Sequence, residues 1–289
     1  MNNQITWVEC PRDAMQGWIY WIPTEHKIEY LNALLDVGFH TLDFGSFVSP
    51  KAIPQMRDTS EVLQALKSSS TKLLAIVANL RGAQEAVQHE RIQYLGYPFS
   101  VSPTFQQRNT SSTQEESKAQ IETIQKMCAD AGKELVVYLS MGFGNPYGDA
   151  YSRDVLLHWA DAFASMGIKI LSLADTVGVA PPDDISFALH TLIPQYPQVQ
   201  FGVHLHSAPH SWQPKLTAAF DAGCTRFDTA LMGIGGCPMA ADELVGNMDT
   251  QWLLQALVQK EMNAGIDTTA LEKCKAIAQK IFVPHGMDA

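Results

Sequence analysis

The sequence predicts an α/β fold, a (β/α)8 TIM barrel with extra C-terminal helices, and three observations predict it. Eight short apolar, β-branched runs alternate with longer stretches of helical period. Several of those stretches end on the same glycine punctuation. Polar residues gather where the strand runs end, which is the face on which such a barrel keeps its chemistry. A chain of 289 residues, 46% of them hydrophobic, can bury a core of that size as one domain spanning residues 1–289. An open, doubly wound sheet is the alternative, because short apolar runs do not by themselves separate strand from helix.

The strand runs, in order, are Ile5 to Glu9, His40 to Phe44, Lys72 to Ala78, Arg91 to Leu95, Glu134 to Ser140, Lys169 to Asp175, Gln200 to His206 and Arg226 to Leu231. Between them the helical period is read over Thr24 to Val37, Thr59 to Ser68, Thr113 to Asp130, Arg153 to Met166, Pro182 to Ile193 and Gln213 to Ala222. Gly38, Gly132, Gly167 and Gly223 each follow the last apolar residue of such a stretch, the position of a left-handed cap. The stretch from Met239 to Ala289 exceeds one barrel unit. From about residue 240 it should hold the last barrel helix and one or two more packed outside.

Charge narrows the partners. The formal net charge is −10 and the basic residues are scattered, which argues against nucleic acid. No apolar run approaches the roughly 20 residues of a membrane span, so no membrane partner is expected. Five cysteines, with no CxxC and no secretory leader at Met1-Asn-Asn-Gln, point to a reducing cytosolic setting without disulfides. Cys10, Cys128, Cys224 and Cys274 read as small buried or helix-face residues. His158 and His210 read as surface or satisfied core histidines.

The most informative motif is His204-Leu-His206. Side chains two apart on a strand point to the same side, so the two imidazoles can close on one metal ion, although core histidines are also common. Other polar residues stand at matching strand ends: Arg12 and Asp13 after strand 1, Asp43 at strand 2, Asn79 after strand 3, Ser140 at strand 5, and Asp175 with Thr176 at strand 6. Strands 1 and 7 are near neighbours in a closed barrel, so Asp13 can meet the histidine pair over its mouth.

These residues carry a resemblance. Pro11-Arg12-Asp13-Ala-Met-Gln16, Ser46-Phe-Val-Ser-Pro50-Lys51 with Pro54-Gln55-Met56, Ser172-Leu-Ala-Asp175-Thr176-Val-Gly178, His204-Leu-His206, and Gly233-Ile-Gly-Gly236-Cys237-Pro238 leading to Gly246-Asn247 resemble the 3-hydroxy-3-methylglutaryl-CoA lyase family of metal-dependent TIM barrels. The matches run in order from residue 5 to about 255. The resemblance implies that Asp13, His204, His206 and Asn247 hold a divalent cation and that Arg12 polarises the thioester carbonyl of an acyl-CoA substrate. Cys237 would then ride a mobile glycine-rich loop. It further implies catalytic parts for Asp43 and Asp175, substrate contacts for Gln16, Asn79 and Thr176, and a homodimer. One carboxylate, two imidazoles and an amide oxygen leave two octahedral positions for substrate and suit Mg²⁺ or Mn²⁺. The implied reaction is carbon–carbon cleavage of the thioester to acetoacetate and acetyl-CoA.

Each position has a plainer reading. Asp13 can be a turn or cap residue, and Asp175 with Thr176 can cap the next segment. Asp43 can be a structural strand-end acceptor or can orient Arg12. Asn79 can be a turn asparagine and Cys237 an inert thiol. The chain also departs from the family pattern. Ser207-Ala208-Pro209 stands where an acidic residue and Thr are usual, Asp43 replaces Glu, Ala14 replaces Gly, Gln251 replaces an acidic residue, and Cys237 to Asn247 is one residue longer. A Claisen-type synthase joining acetyl-CoA to a 2-oxo acid, and a noncatalytic acyl-CoA-binding barrel, remain as alternatives.

Overall fold

Eight parallel strands close on themselves in sequence order in the computed structural model, which describes residues 5–236 and 245–282. They are β1 (Thr6–Glu9), β2 (Thr41–Ser46), β3 (Lys72–Ile76), β4 (Ile92–Ser100), β5 (Glu134–Ser140), β6 (Ile170–Asp175), β7 (Gln200–Leu205) and β8 (Arg226–Thr229). The ring shuts where β8 pairs with β1, Trp7 lying beside Phe227. All eight expected strands are present. The fourth runs five residues past the expected end at Leu95, through Gly96 and Pro98, residues that ordinarily interrupt strands. Its pairing with β3 stops at Gly96, whereas its pairing with β5 continues to Ser100. Pro98 therefore sits where one side of the strand has no neighbour, and its missing N–H breaks no bond to β3.

The helices are α1 (Pro11–Gln16), α2 (Thr24–Val37), α3 (Thr59–Ala65), α4 (Leu80–Ala86), α5 (Pro103–Thr110), α6 (Gln114–Asp130), α7 (Arg153–Ser165), α8 (Pro182–Gln195), α9 (Trp212–Asp221), α10 (Thr250–Gln259) and α11 (Thr268–Phe282). Local chemistry accounts for their ends. Thr113 and Glu116 form a reciprocal capping box at the start of α6, satisfying two otherwise unpaired donors. Gly38, Gly132, Gly167 and Gly223 all adopt positive φ, as the sequence predicts. Three short helices, α1, α4 and α5, escape a reading based on long periodicity. Two of them begin with proline at the first turn, where no N–H is needed. Beyond β8, α10 and α11 supply the expected C-terminal helices, and Phe282 of α11 packs edge-on against Trp18 and Tyr30.

Period-two alternation divides the strand residues between two environments. Leu73, Leu135, Val137 and Leu171 face the helical layer, whereas Leu74, Ile76, Tyr94, Val136, Tyr138 and Ile170 form a separate cluster inside the ring. That apolar filling comes from β3 to β6. The opposite half of the interior is polar: Thr41 and Asp43 of β2, His204 of β7, and Arg226 and Asp228 of β8. The candidate site lies above this polar half.

Candidate active site

Arg12 and Asp13 stand on α1, a six-residue helix whose first turn is set by Pro11 at the carboxyl end of β1. Both side chains are buried. Arg12 donates through Nε and Nη2 to Oδ2 of Asp43, at 3.0 and 2.5 Å, and through Nη1 to Oδ1 of Asp13 at 2.8 Å. Asp43 lies inside β2, with three strand residues after it, and reaches Arg12 in spite of its shorter side chain. Burial pushes the Asp43 carboxyl above its ordinary value, the Arg12 charge restraining the rise. For Arg12, burial works against the charged form, but Asp43 and Asp13 outweigh it and raise its pKa.

Asp13 meets the histidine pair. Ligand-capable atoms of Asp13, His204 and His206 all lie within 4.8 Å of one another. Burial favours a neutral Asp13, yet the charge of Arg12, the two imidazoles and a hydrogen bond from Asn247 hold its carboxyl below the usual range. Gln16 Nε2 donates to Oδ1 at 2.7 Å and Asn247 Nδ2 to Oδ2 at 2.8 Å. Asn247 is brought here by an isolated bridge to His206. Its amide nitrogen, which also donates to the Ile234 carbonyl at 2.9 Å, faces Asp13. Its oxygen becomes a ligand atom only with the amide turned over.

The imidazoles are held differently. His204 Nδ1 lies 3.3 Å from Asp228 Oδ2, because His204 and Asp228 are register partners on adjacent strands. This arrangement leaves Nε2 free to coordinate, a carboxylate on the other ring nitrogen being the usual outer support of a metal-bound histidine. Burial lowers the His204 pKa, but the Asp228 hydrogen bond and charge outweigh it and the net shift is upward. His206 has a backbone hydrogen bond to Val245, and burial followed by the His204 charge lowers its pKa to about 4. Its Nδ1 is buried and has no hydrogen-bond partner. A neutral imidazole with an unshared nitrogen, a carboxylate kept ionised and a second oriented imidazole suit a divalent cation. The cluster can therefore hold a metal.

The remaining predicted residues take supporting positions. Asp175 is buried with both oxygens engaged: Oδ1 accepts from the backbone N–H of Val179 and Ala180 at 2.8 and 3.1 Å, and Oδ2 from Lys215 Nζ at 2.6 Å. Thr176 Oγ1 accepts from Met141 N at 2.8 Å. Asn79 caps α4 by accepting from Gly82 N at 2.9 Å, so its side-chain oxygen has a structural partner. Cys237 lies outside the described residues, but the loop leading to it is fixed at Gly235, which has a φ of +103°. A Cβ there would come within 2.7 Å of Asn247 Nδ2 and 2.8 Å of the Asp13 carbonyl. The glycine-rich segment thus lies directly on the cluster.

Three buried residues that sequence reasoning missed support this face. Lys215 donates to Asp175, to the Gly178 carbonyl and, at 2.8 Å, to the His206 carbonyl. It was visible as a lysine on the apolar face of α9, three residues after Trp212 and four before Ala219. Asp228 was visible as half of an alternating polar pair with Arg226 in an otherwise apolar run. Glu9 accepts from Leu231 N at 2.7 Å, from Thr250 Oγ1 at 2.6 Å and from Thr229 Oγ1 at 3.2 Å, so it ties together both stems of the chain between β8 and α10. Burial pushes its pKa from 4.5 to about 8 in spite of those hydrogen bonds.

The chain is similar to known proteins along most of its length. A family model described as HMGL-like matches residues 4–277. The chain is 30% identical over 280 residues to hydroxymethylglutaryl-CoA lyase YngG of Bacillus subtilis, covering 96% of this chain and 91% of the relative. It is 29% identical to the cytoplasmic 3-hydroxy-3-methylglutaryl-CoA lyase of Rattus norvegicus, covering 92% of this chain and 79% of that one. Among solved structures, an HMG-CoA lyase from Acinetobacter baumannii in complex with coenzyme A and 3-methylmalate superposes with a TM-score of 0.90 at 29% identity, covering 97% of this chain and 92% of its own.

Proposed function

The chain belongs to the HMGL-like family, and from that premise we propose that it is a carbon–carbon lyase cleaving 3-hydroxy-3-methylglutaryl-CoA, or a close analogue, to acetoacetate and acetyl-CoA. The observation that carries the reading is the meeting of Asp13, His204 and His206 within 4.8 Å, next to a buried Arg12. Asp13, His204 and His206 would hold Mg²⁺ or Mn²⁺, with Asn247 joining through its amide oxygen. When bound, such a cation supplies a Lewis acid that makes the 3-hydroxyl of the substrate more acidic.

The protein's own groups do the rest. A general base takes the hydroxyl proton, the C3–O bond becomes a carbonyl, the C2–C3 bond breaks, and its electron pair passes to C2 and the thioester as an enolate. Protonation of C2 then gives acetyl-CoA. Arg12 stabilises the enolate oxygen with N–H groups that Asp43 and Asp13 do not occupy. A guanidinium does so without giving up its own proton. Asp43 fixes the plane of Arg12, and Gln16 fixes Asp13. Lys215 links Asp175 and the Gly178 carbonyl to the backbone of His206. Cys237, on the segment that begins at Gly235, would close over the acyl group and exclude water while the enolate exists.

Incubating the purified chain with Mg²⁺ and a panel of 3-hydroxyacyl-CoA thioesters, with products identified by mass, tests the reading. Acetoacetate and acetyl-CoA from the hydroxymethylglutaryl thioester support it, and an unconsumed panel defeats it. We read the working form as a homodimer in the cytoplasm; sedimentation velocity and cell fractionation test those two points.

A further inference from the structure

Inside the polar half of the barrel, β7 and β8 face each other as a two-by-two ladder: Gly202 beside Arg226, and His204 beside Asp228. Arg226 is fully buried, and none of its three guanidinium nitrogens has a hydrogen-bond partner. Burying such a charge is costly unless a carboxylate faces it. Among the described residues, the carboxylate within 4.0 Å is that of Asp228, whose Oδ1 lies 3.9 Å from Arg226 Nε and has no hydrogen-bond partner either. The second oxygen of the same carboxylate lies 3.3 Å from His204 Nδ1. The two oxygens of Asp228 are thus divided, one toward a fixed cation and one toward an imidazole.

The space for this arginine is made by its neighbour. A Cβ on Gly202 would come within 2.8 Å of both Cγ and Cδ of Arg226, so the stem of the arginine fills the place of a β7 side chain. A packing role alone is served by an aliphatic residue that brings no charge into the interior. Tyr138 closes the other side, its ring edge-on to His204 at 5.8 Å, which leaves the imidazole standing between an aromatic wall and the Asp228 oxygen.

We infer that Arg226 is a positioning residue for His204: it fixes the Asp228 side chain with one oxygen toward the guanidinium and the other toward His204 Nδ1, so that His204 presents Nε2 to the cation cluster. The inference rests on the reading of Asp13, His204 and His206 as cation ligands. Arg226 touches no substrate, and its effect passes through Asp228 alone.

The test is Mn²⁺ binding by the purified chain without substrate, followed through the electron paramagnetic resonance of the free ion, with thermal melts run alongside. Asp228→Asn should weaken Mn²⁺ binding by about ten- to a hundredfold, the scale for losing an outer partner of a metal-bound histidine. Arg226→Met should weaken it by about tenfold on the same scale, and Arg226→Lys should recover part of that loss. The double variant Arg226→Met/Asp228→Asn should bind no more weakly than Asp228→Asn alone, since a residue acting through another adds nothing once the other is gone. A lower Tm with unchanged Mn²⁺ affinity in Arg226→Met would overturn the inference, as would additive losses in the double variant. Should Arg226→Met fail to fold, the comparison of the double variant with Asp228→Asn decides the matter by itself. A wild-type chain that binds no Mn²⁺ removes the cation-site reading and this inference together, whereas normal wild-type binding with unaffected Arg226 variants removes this inference alone.

Discussion

Arg12 gives two of its nitrogens to a single oxygen of Asp43, at 3.0 and 2.5 Å, and a third to Asp13 at 2.8 Å. The guanidinium is therefore oriented before any substrate arrives, with one N–H on each terminal nitrogen left for a developing oxyanion. Arg12→Gln should lower kcat by roughly a hundredfold or more, the scale for losing one oxyanion donor, while leaving Mn²⁺ affinity close to wild type. A variant altered only in KM would show that Arg12 merely holds substrate.

Metal dependence should be strict. Exhaustive chelation should abolish turnover, and Mg²⁺ or Mn²⁺ should restore it. His204→Ala and His206→Ala should each weaken Mn²⁺ binding by roughly tenfold or more, since losing even an outer partner costs that much. Titrations with the two variants check this, and wild-type affinity in both would make the histidine pair structural.

Glu9 should make stability fall as pH rises. Burial raises its pKa to about 8 in the folded chain, against an ordinary value of 4.5, so between those values the folded state holds a proton that the unfolded state has released. The stabilisation is complete below the lower value and is lost as pH climbs through the upper one, on the order of a few kcal/mol in all. Urea unfolding from pH 5 to 9 should show a decline in wild type that is much flatter in Glu9→Gln, which remains uncharged throughout. Parallel curves would mean that Glu9 does not carry the effect.

Lys215→Met should destabilise the fold by roughly 3–5 kcal/mol, because it leaves Asp175 as a buried carboxylate without its cation. The pair is nearly inaccessible, with side-chain exposures of 4% and 1%. Replacing both partners with apolar residues should cost less than the single change. A shift in the urea midpoint measures it, and a Lys215→Met midpoint equal to wild type would refute the pairing argument.

Thiol labelling should single out Cys237. Cys10, Cys128, Cys224 and Cys274 are free but buried, and burial raises the pKa of each, which makes them slow nucleophiles. An alkylating reagent should modify Cys237 first, and a substrate analogue should protect it. Cys237→Ser should lower turnover without lowering Tm. Label found mainly on any of the other four, or no protection at saturating analogue, would detach Cys237 from the site.

What could be read from the sequence followed from local rules. Alternation of strand and helix period, glycine caps and the spacing of His204 and His206 are properties of neighbouring residues, and they sufficed for the barrel and for the strand-end face on which Asp13 meets the histidine pair. The missed features depend on register. Nothing in the chain around Asp228 says that it will lie opposite His204, and nothing around Glu9 says that Leu231 and Thr250 will converge on it. The extension of β4 past Leu95 is hidden for the same reason: Pro98 ends a strand by local rules and is tolerated because β3 stops alongside Gly96. Lys215 and Asp175 are 40 positions apart, so only the folded barrel reveals a carboxylate that needs a cation.

Asp13 and Asn247 are separated by 234 positions, yet one hydrogen bond joins them across the proposed cation cluster. During synthesis the first of these residues leaves the ribosome long before the second exists, and a nascent chain ending anywhere before β7 lacks both imidazoles. A folding intermediate that leaves the ring open between β7 and β1 cannot assemble the set. A cation that binds only the finished arrangement adds its binding free energy only to that arrangement, so metal in the cell would favour completed molecules and do nothing for truncated or half-folded ones. The placement of the proposed cluster at the seam where β7, β8 and β1 meet would make cation binding a check on the closure of the ring.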